Sequence, residues 1–358
     1  MKKTFRSNLI TIGIVVIAYI IVSIMIATNN ISSLMNGLLV PLCIYAILAV
    51  SLNLTVGILG ELSLGHAGFM CIGAFSGAFF SKCMKMFVPG MPAGVRFLIA
   101  LLIGAAAAGL LGFLIGIPVL RLKGDYLAIV TLAFGEIIKN LINILYLGID
   151  EEGVHFSMRN SLALNMADSD KIIINGAQGI TGTPRDSNFT VAVILLILTL
   201  IIVLNLIHSR DGRAIMSIRD NTIAAESVGI PVTRYKMMAF TVSAAFAGVA
   251  GVLYAHNLST LTASPKNFGY NMSIMILVFV VLGGMGNIRG SMIAAVLLTL
   301  LPELLRGVVS DYRMLIYSIV LIVMMLFNWA PKCIEWREKF VAFLKSKFAR
   351  KSTAKEAE

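Results

Sequence analysis

The sequence predicts an all-α integral membrane protein with about ten transmembrane helices. Hydrophobic residues make up 58% of its 358 positions and charged residues only 13%, whereas a soluble domain of this length carries far more charge. The apolar residues also gather into runs of about 20, the length with which a helix crosses the hydrocarbon core of a bilayer. Composition and run length together indicate a chain that spans a membrane many times.

The apolar runs place the predicted spans in order along the chain. The first span follows Lys2, Lys3 and Arg6. It is longer than the apolar region of a secretory signal and no small-residue cleavage site follows it, so we expect it to remain uncleaved. Glycines interrupt the pattern near 58–64 and 283–291. The predicted spans are residues 9–27, 34–58, 62–81, 97–118, 126–147, 190–208, 237–256, 271–286, 290–308 and 314–330.

Positive charge sets the predicted orientation, because cytoplasmic loops are enriched in Lys and Arg. Lys and Arg concentrate in four segments that ten spans place on one side: the N-terminus, 119–125, 209–236 and 331–358. The loop 148–189 is acidic on balance and is predicted to lie outside. Lys82, Lys85 and Arg96 are an exception, since ten spans place them outside too. Both termini are therefore predicted to be cytoplasmic.

The basic residues do not indicate a nucleic-acid partner. The net charge is +11, but it lies in short loops and the tail, where attraction to an anionic cytoplasmic leaflet explains it. In the tail, 331–358, aromatic and apolar residues recur at helical spacing among Lys and Arg, which predicts an amphipathic helix on the membrane lipids. These residues are Trp336, Phe340, Phe343, Leu344 and Phe348. We therefore divide the chain into a permease domain, 1–330, and this tail.

The polar segment, defined as residues 210–231, is a basic stretch between two almost purely apolar runs. Its middle predicts about two turns of helix over 223–228, which Gly229 and Pro231 end. The candidate N-cap residues are Asp220, Asn221 and Thr222. The segment therefore predicts a short surface helix presented to a cytoplasmic partner.

Ionisable groups within apolar runs are costly, so each is a candidate functional group. Glu136 follows Tyr126 by ten residues, which places it about 15 Å into its span and best able to face an internal cavity. Glu61 and Asp125 lie near an interface, where facing water is the simpler interpretation. His66 is more commonly a buried, hydrogen-bonded histidine than a ligand or proton carrier.

Glycines interrupt the apolar pattern in both halves of the chain, at 60–68 and 283–290. Paired interruptions predict broken helices that line a path, and tight helix packing is the alternative. For the small-residue spacings that start at Gly73 and Gly112, packing is the favoured interpretation. The candidate residues of the translocation path are Glu61, Ser63, His66, Glu136, Gly283, Gly284 and Gly286.

The sequence lacks the motifs of several enzyme classes. It contains no G-x-x-x-x-G-K-[ST] motif, so we expect no ATP site of its own. It also lacks G-x-S-x-G, H-E-x-x-H and paired Cys/His spacing, so we expect no catalytic residues, metal or other cofactor. The cysteines are far apart and are interpreted as small apolar core residues; they are Cys43, Cys71, Cys83 and Cys333.

Seven motifs, in their order and spacing over roughly 40–330, resemble the membrane-spanning subunits of bacterial ABC importers for branched-chain amino acids, of the LivM type. They are 62–69 (LSLGHAGF), 121–138 (RLKGDYLAIVTLAFGEII), 175–182 (NGAQGITG), 212–219 (GRAIMSIR), 223–230 (IAAESVGI), 264–265 (SP) and 281–290 (VLGGMGNIRG).

The resemblance implies the architecture of an ABC importer permease in the bacterial inner membrane. It also implies partners: a second homologous permease subunit, two cytoplasmic ATPase subunits that bind the ATP, and a periplasmic or lipid-anchored substrate-binding protein. Transport of leucine, isoleucine or valine by alternating access would follow. Which amino acid is preferred, and whether the permease itself holds a binding site, stays open.

The polar segment resembles the coupling segment of such importers, Glu-Ala-Ala followed by three residues and Gly. Ala224, Ala225 and Gly229 match, Ile223 stands at the Glu position, and the more distant I-x-L-P part is absent. The resemblance implies that the loop 209–236 docks on the ATPase. The candidate coupling residues are Arg213, Arg219, Ile223, Ala224, Ala225, Glu226 and Gly229.

Three other functions remain as alternatives. Permeases for urea or short amides share the glycine-rich and polar-segment motifs, and nothing in the spans separates them. A channel or ion-coupled secondary carrier would work alone, with Glu136 as its only fair midplane carboxylate and the polar segment unexplained. An intramembrane enzyme using His66 or a nearby Glu is disfavoured, because no nucleophile–base constellation is present.

Overall fold

The computed structural model describes residues 2–28, 32–88, 90–122, 124–150, 153–159, 164 and 172–305, with 315, 316, 318, 319, 321–323 and 326 beyond them. The chain divides into two compact units, 1–297 and 298–358. The contacts reported below lie within the first unit. The predicted amphipathic tail, 331–358, falls outside the described residues.

Helices make up most of the described chain. They are α1 (Lys2–Ala27), α2 (Ser33–Asn53), α3 (His66–Phe87), α4 (Ala93–Val119), α5 (Asp125–Asn143), α6 (Phe189–His208), α7 (Arg210–Asp220), α8 (Thr222–Ser227), α9 (Val232–Asn257), α10 (Pro265–Phe268), α11 (Tyr270–Gly283) and α12 (Ile288–Leu305). One π-helical turn, Leu54–Leu59, continues α2.

Eight described segments are helical, long and apolar enough to cross a membrane: 8–27, 35–59, 66–87, 93–119, 189–208, 232–257, 265–283 and 288–305. They confirm the predicted fold class, and their number is roughly consistent with about ten spans. Predicted span 126–147 is only partly right. α5 ends at Asn143, and residues 146–150 form a strand. Most of predicted span 314–330 falls outside the described residues.

The helices α3, α4 and α9 pack through small residues at the centre of the first unit. A Cβ at Gly73 would lie 2.3 Å from the Cα of Gly248, and one at Gly112 would lie 2.5 Å from the Cβ of Ala244. Because no side chain fits at such separations, glycine lets the helix backbones approach closely. The packing interpretation of the spacings at Gly73 and Gly112 is therefore confirmed.

We expect Gly248→Leu to destabilise the fold, because its side chain would overlap Gly104 and Ala108 of α4. Overpacking of this kind costs about 1–3 kcal/mol or more. Thermal unfolding of the purified protein in detergent measures the effect. Gly13→Leu is the matched control, since a Cβ at Gly13 meets nothing within 4 Å. Equal melting temperatures for the two variants would contradict the packing interpretation.

A small amount of β-structure, absent from the prediction, lies at one end of the helices. Three antiparallel strands pair in the order β2-β1-β3, and two more pair as β4-β5. The strands are β1 (Tyr146–Asp150), β2 (Gly153–Ser157), β3 (Ile172–Asn175), β4 (Ile180–Thr181) and β5 (Thr260–Leu261).

The segment that contains the strands also explains two of the three cations, Lys82, Lys85 and Arg96, that the ten predicted spans place outside. Lys82 Nζ donates to the Ile172 carbonyl at 3.3 Å, and Arg96 forms an ion pair with Asp186 at 2.7 Å. Two of the three cations that ten spans place outside are thus bonded to the segment between α5 and α6. Because both cations have partners on the outer side, their position does not require different boundaries for the predicted spans.

Candidate functional site

The polar segment folds into two helices, α7 and α8, at the opposite end from the strands. The Ser209 hydroxyl accepts the Gly212 amide at 3.1 Å and caps α7. The Asn221 side chain accepts the Ala224 amide at 3.0 Å and caps α8. Of the three candidate N-cap residues, Asn221 therefore caps the short helix. Sequence reasoning found α8 but missed the longer helix before it.

The end of α8 is fixed by its glycine. Gly229 has a φ of +85°, a conformation that glycine adopts without strain. Its amide donates to the Glu226 carbonyl at 2.9 Å, and the Ile230 amide donates to the Ala225 carbonyl at 3.0 Å. This pair of bonds is a Schellman motif, so the predicted helix stop at Gly229 is confirmed.

The outer face of α8 presents apolar side chains on a polar end of the molecule. Ile223 is 80% exposed and Val228 is 75% exposed, whereas Ala225 is 3% exposed. Ala224 and Glu226 are exposed as well. Ala225 thus faces the body of the protein, and Ile223 and Val228 form an outward face suited to a protein partner.

Arg219 connects the polar segment by a hydrogen bond to the π-helical turn that continues α2. Its Nη1 donates to the Gly57 carbonyl at 3.0 Å, and its other nitrogens donate to Asp220 Oδ1 at 3.0 and 3.1 Å. A Cβ at Gly60 would lie 2.6 Å from Arg219 Cγ, so the arginine lies directly over the glycine. Arg213 is exposed, and its Nη1 donates to the His208 carbonyl at 3.1 Å.

Both predicted helix interruptions are present, and they meet beneath Arg219. Residues 60–65 and 284–287 are not helical. The Gly286 amide donates to Asn53 Oδ1 at 2.9 Å, and Asn53 Nδ2 donates to the Ser291 hydroxyl at 3.0 Å. We call this cluster the junction: Asn53, Gly57, Arg219, Gly286 and Ser291.

Three junction residues, Asn53, Gly57 and Ser291, were not predicted from the sequence. Two predicted path residues, Gly283 and Gly284, form the turn between α11 and α12. Asn53 and Ser291 are fully buried polar side chains, and their position inside apolar runs was the available signal. A Cβ at Gly283 would lie 2.2 Å from the Ser291 amide nitrogen, and Gly284 has a φ of +93°. Both glycines therefore allow α11 to turn back closely against α12.

Side chains from several helices hold the break 60–65 in place. Glu61 forms an ion pair with Lys236 of α9, which is 8% exposed. The Leu64 amide donates to Thr131 Oγ1 at 3.0 Å, and the Ala67 amide, at the start of α3, donates to Ser273 Oγ at 3.1 Å. Non-helical backbone within a membrane needs such partners, because lipid offers none.

His66 and Ser63 are buried beside this break, each 2% exposed. His66 Nε2 lies 2.8 Å from Ser51 Oγ. Ser51 Oγ also lies 3.0 Å from the Leu48 carbonyl oxygen. His66 is therefore a hydrogen-bonded core residue in this structure, the simpler of its two interpretations.

Glu136 lies in a charged contact between α5 and α11. One carboxylate oxygen pairs with Lys139, which sequence reasoning missed although it lies three residues away on the same helix face. The other accepts the Tyr270 amide at 2.7 Å, in the first turn of α11. A carboxylate there is stabilised by the helix dipole. The predicted cavity-facing carboxylate is thus a helix cap.

Within the described residues, no three His, Cys, Asp or Glu side chains come together as metal ligands. Cys43, Cys71 and Cys83 are buried and not disulfide-bonded, as expected for core residues. Cys333 lies outside the described residues. Among the described residues, the outer face of α8 and the junction are therefore the candidate functional sites.

Comparison with known proteins identifies related permeases. A family model described as "Branched-chain amino acid transport system / permease component" matches residues 33–325. The high-affinity branched-chain amino acid transport system permease protein LivM of Escherichia coli is 35% identical over 311 residues, which cover 81% of this chain and 67% of that protein.

Two more distant relatives have other names. The permease protein LivH of the branched-chain amino acid system of Salmonella typhimurium is 21% identical over 79% of this chain and 88% of its own length. The fructose import permease protein FruG of Bifidobacterium longum is 26% identical over 77% of each chain. No solved structure matches.

Proposed function

Because the chain belongs to the family of permease components of branched-chain amino acid transport systems, we propose that it is the membrane-spanning subunit of an ATP-driven importer. Its substrates are the branched-chain amino acids leucine, isoleucine and valine, and it carries them across the bacterial inner membrane by alternating access. The observation that carries this proposal is 35% identity to LivM over 81% of the chain.

The proposed partners follow from the permease role. They are a second homologous permease subunit, two cytoplasmic ATPase subunits and a periplasmic or lipid-anchored substrate-binding protein. The permease itself has no catalytic residues and no cofactor, because the ATPase subunits bind and hydrolyse the ATP. The lack of a phosphate-binding motif in the sequence supports this division of labour.

The proposed orientation places both termini and the loop 209–236 in the cytoplasm and the loop 148–189 outside. The concentration of Lys and Arg in the former segments supports it. The contacts of Lys82 and Arg96 with Ile172 and Asp186 support it too, because they give two outside cations local partners.

The outer face of α8 is the proposed docking surface for an ATPase subunit. Ile223 and Val228 supply exposed apolar area, and the Asn221 cap and the Schellman motif at Gly229 give the helix two fixed ends. A partner can transmit motion only through a contact that keeps its shape, so a capped helix suits this role. Arg213, Ala224 and Glu226 lie exposed beside this face.

The junction is the proposed route from the docking surface to the spans. Movement of α7 and α8 would act through the Arg219 guanidinium on the Gly57 carbonyl, and through Gly57 on the neighbouring Gly286. The π-helical turn that contains Gly57 is a local departure from α-helix of the kind often found at functional sites. We propose that the breaks 60–65 and 284–287 are the hinges of the alternating states.

Uptake by the assembled importer tests the proposal. Cells that express the chain with its ATPase and binding-protein partners should take up labelled leucine, isoleucine or valine. An ATPase partner with its phosphate-binding lysine replaced should abolish that uptake. Labelled urea and fructose are the comparison substrates. Uptake that persists with the inactive ATPase, or that favours urea, would contradict the proposal.

A further inference from the structure

A cavity of about 310 Å³ opens between α1, α6 and the start of α12, beside the turn 284–287. Asn8 and Thr11 line it from α1, Leu204 and Ile207 from α6, and Arg289 from α12. Each helix contributes residues near its end, so the cavity lies where the spans leave the hydrocarbon core. That is the depth of lipid headgroups.

The polar part of the cavity suits an anion. None of the nine described residues that line it is acidic, and Arg289 contributes a guanidinium. Arg289 Nε donates to Thr11 Oγ1, which orients the plane of the guanidinium between α1 and α12. A planar guanidinium binds phosphate oxygens through paired N–H groups.

The helices around the cavity expose apolar faces further along the spans, which distinguishes a lipid from a free phosphate. The exposed residues are Ile14 and Ile17 of α1, Leu198, Ile201 and Ile202 of α6, and Ile293 and Val296 of α12. Such faces bury acyl chains rather than water. A ligand that fills both parts has an anionic head and long hydrocarbon chains.

We propose that this cavity holds the headgroup phosphate of an anionic phospholipid, with its acyl chains along α1, α6 and α12. Basic pockets between transmembrane helices are known to bind anionic headgroups. Arg289 contacts the phosphate, and the lining residues Asn8 and Asn287 supply amide donors. The proposal concerns the lipid-facing side of the protein and does not depend on which solute is transported.

Native mass spectrometry of the purified full chain, titrated with phosphatidylglycerol, tests the proposal. Wild-type protein should retain the lipid, and Arg289→Gln should weaken its apparent affinity about tenfold, the effect expected for loss of one charge-assisted contact. The affinity of Arg289→Lys should lie between those of the wild type and Arg289→Gln, because lysine keeps the charge but lacks the paired N–H donors of the guanidinium. Arg121→Gln removes an exposed cation from another turn and should leave the affinity unchanged.

Lipid competition on the wild-type protein is a second measurement, and a folding defect in a variant cannot affect it. Phosphatidylglycerol should outcompete phosphatidylcholine, while inorganic phosphate and glycerol phosphate should not displace it at the same concentration. Equal retention of phosphatidylcholine would overturn the anionic site. Displacement by the soluble phosphates would show a free-anion site instead of a lipid site. An equal loss in Arg121→Gln and Arg289→Gln would show only general attraction of charge.

Discussion

A carboxylate at position 228 is expected to reduce transport strongly while leaving the protein in the membrane. Val228 is 75% exposed on the outer face of α8, so Val228→Asp has little effect on the folded chain itself. At the centre of a protein interface, a buried unpaired charge costs about 2–4 kcal/mol. We therefore expect leucine uptake to fall by roughly tenfold or more.

Gly229→Pro tests the shape of the same surface by a different route. Proline cannot adopt the φ of +85° seen at Gly229 and removes the amide that donates to Glu226. A Cβ at Gly229 meets nothing within 4 Å, so Gly229→Ala is the variant that adds a side-chain atom without a clash and keeps the amide.

The controls separate docking from folding. Membrane content should match the wild type in both variants, and co-purification of the ATPase subunit should be lost. Thermal unfolding should match the wild type in Val228→Asp, whose backbone is unchanged. Arg121→Asp, which places a carboxylate in a different turn at the same end, should transport normally. Unchanged uptake in Val228→Asp and Gly229→Pro would show that α8 is not the docking surface.

Breaking the contact between Glu136 and Lys139 is expected to have the largest effect on stability. The Lys139 side chain is 7% exposed and pairs with Glu136. Glu136→Gln keeps an oxygen to accept the Tyr270 amide but leaves the ammonium without its anion. Removing one partner of a buried ion pair typically costs about 3–5 kcal/mol, and thermal unfolding in detergent measures the loss.

A double variant distinguishes the pair from its two members. Lys139→Met should also destabilise, whereas Glu136→Gln with Lys139→Met should recover most of the loss, because no unpaired charge remains. Lys85→Met, at an exposed lysine, should stay within about 0.5 kcal/mol of the wild type. Additive losses in the double variant would show that the two residues act independently.

The double variant also separates the importer from an ion-coupled carrier. A carrier that used Glu136 for ion coupling would lose transport whenever this carboxylate is removed. The importer proposed here should still take up leucine in the stable double variant, because ATP supplies the energy. Leucine uptake by the double variant therefore shows whether Glu136 couples ions or has a structural role, independently of its effect on stability.

The sequence predicted α8 correctly, because the interactions that begin and end this helix are local. The Asn221 cap and the Gly229 stop each bond to backbone groups within five residues. The strand at 146–150 was missed because Leu145, Tyr146 and Leu147 extend the apolar pattern of α5. A short apolar run does not distinguish a strand from the end of a helix.

The candidate site needed contacts that no local pattern contains. Arg219 reaches Gly57 across 162 residues, Gly286 reaches Asn53 across 233, and Tyr270 reaches Glu136 across 134. The sequence marked three of these six residues, Arg219, Gly286 and Glu136, as unusual in an apolar chain. The sequence could not show which of these residues contact each other, because several spans have similar apolar faces and any of them could pack together.

The sequence by itself determined that this protein is a polytopic membrane permease, where its main apolar spans lie and that it presents a short helix after Asn221. These properties depend on the transfer free energy of each run and on caps within a few residues, which are local quantities. Only the tertiary structure decided that Arg219 joins both helix breaks and that Glu136 caps α11. Those contacts depend on which helices pack together, and close glycine packing of α3, α4 and α9 fixes that arrangement.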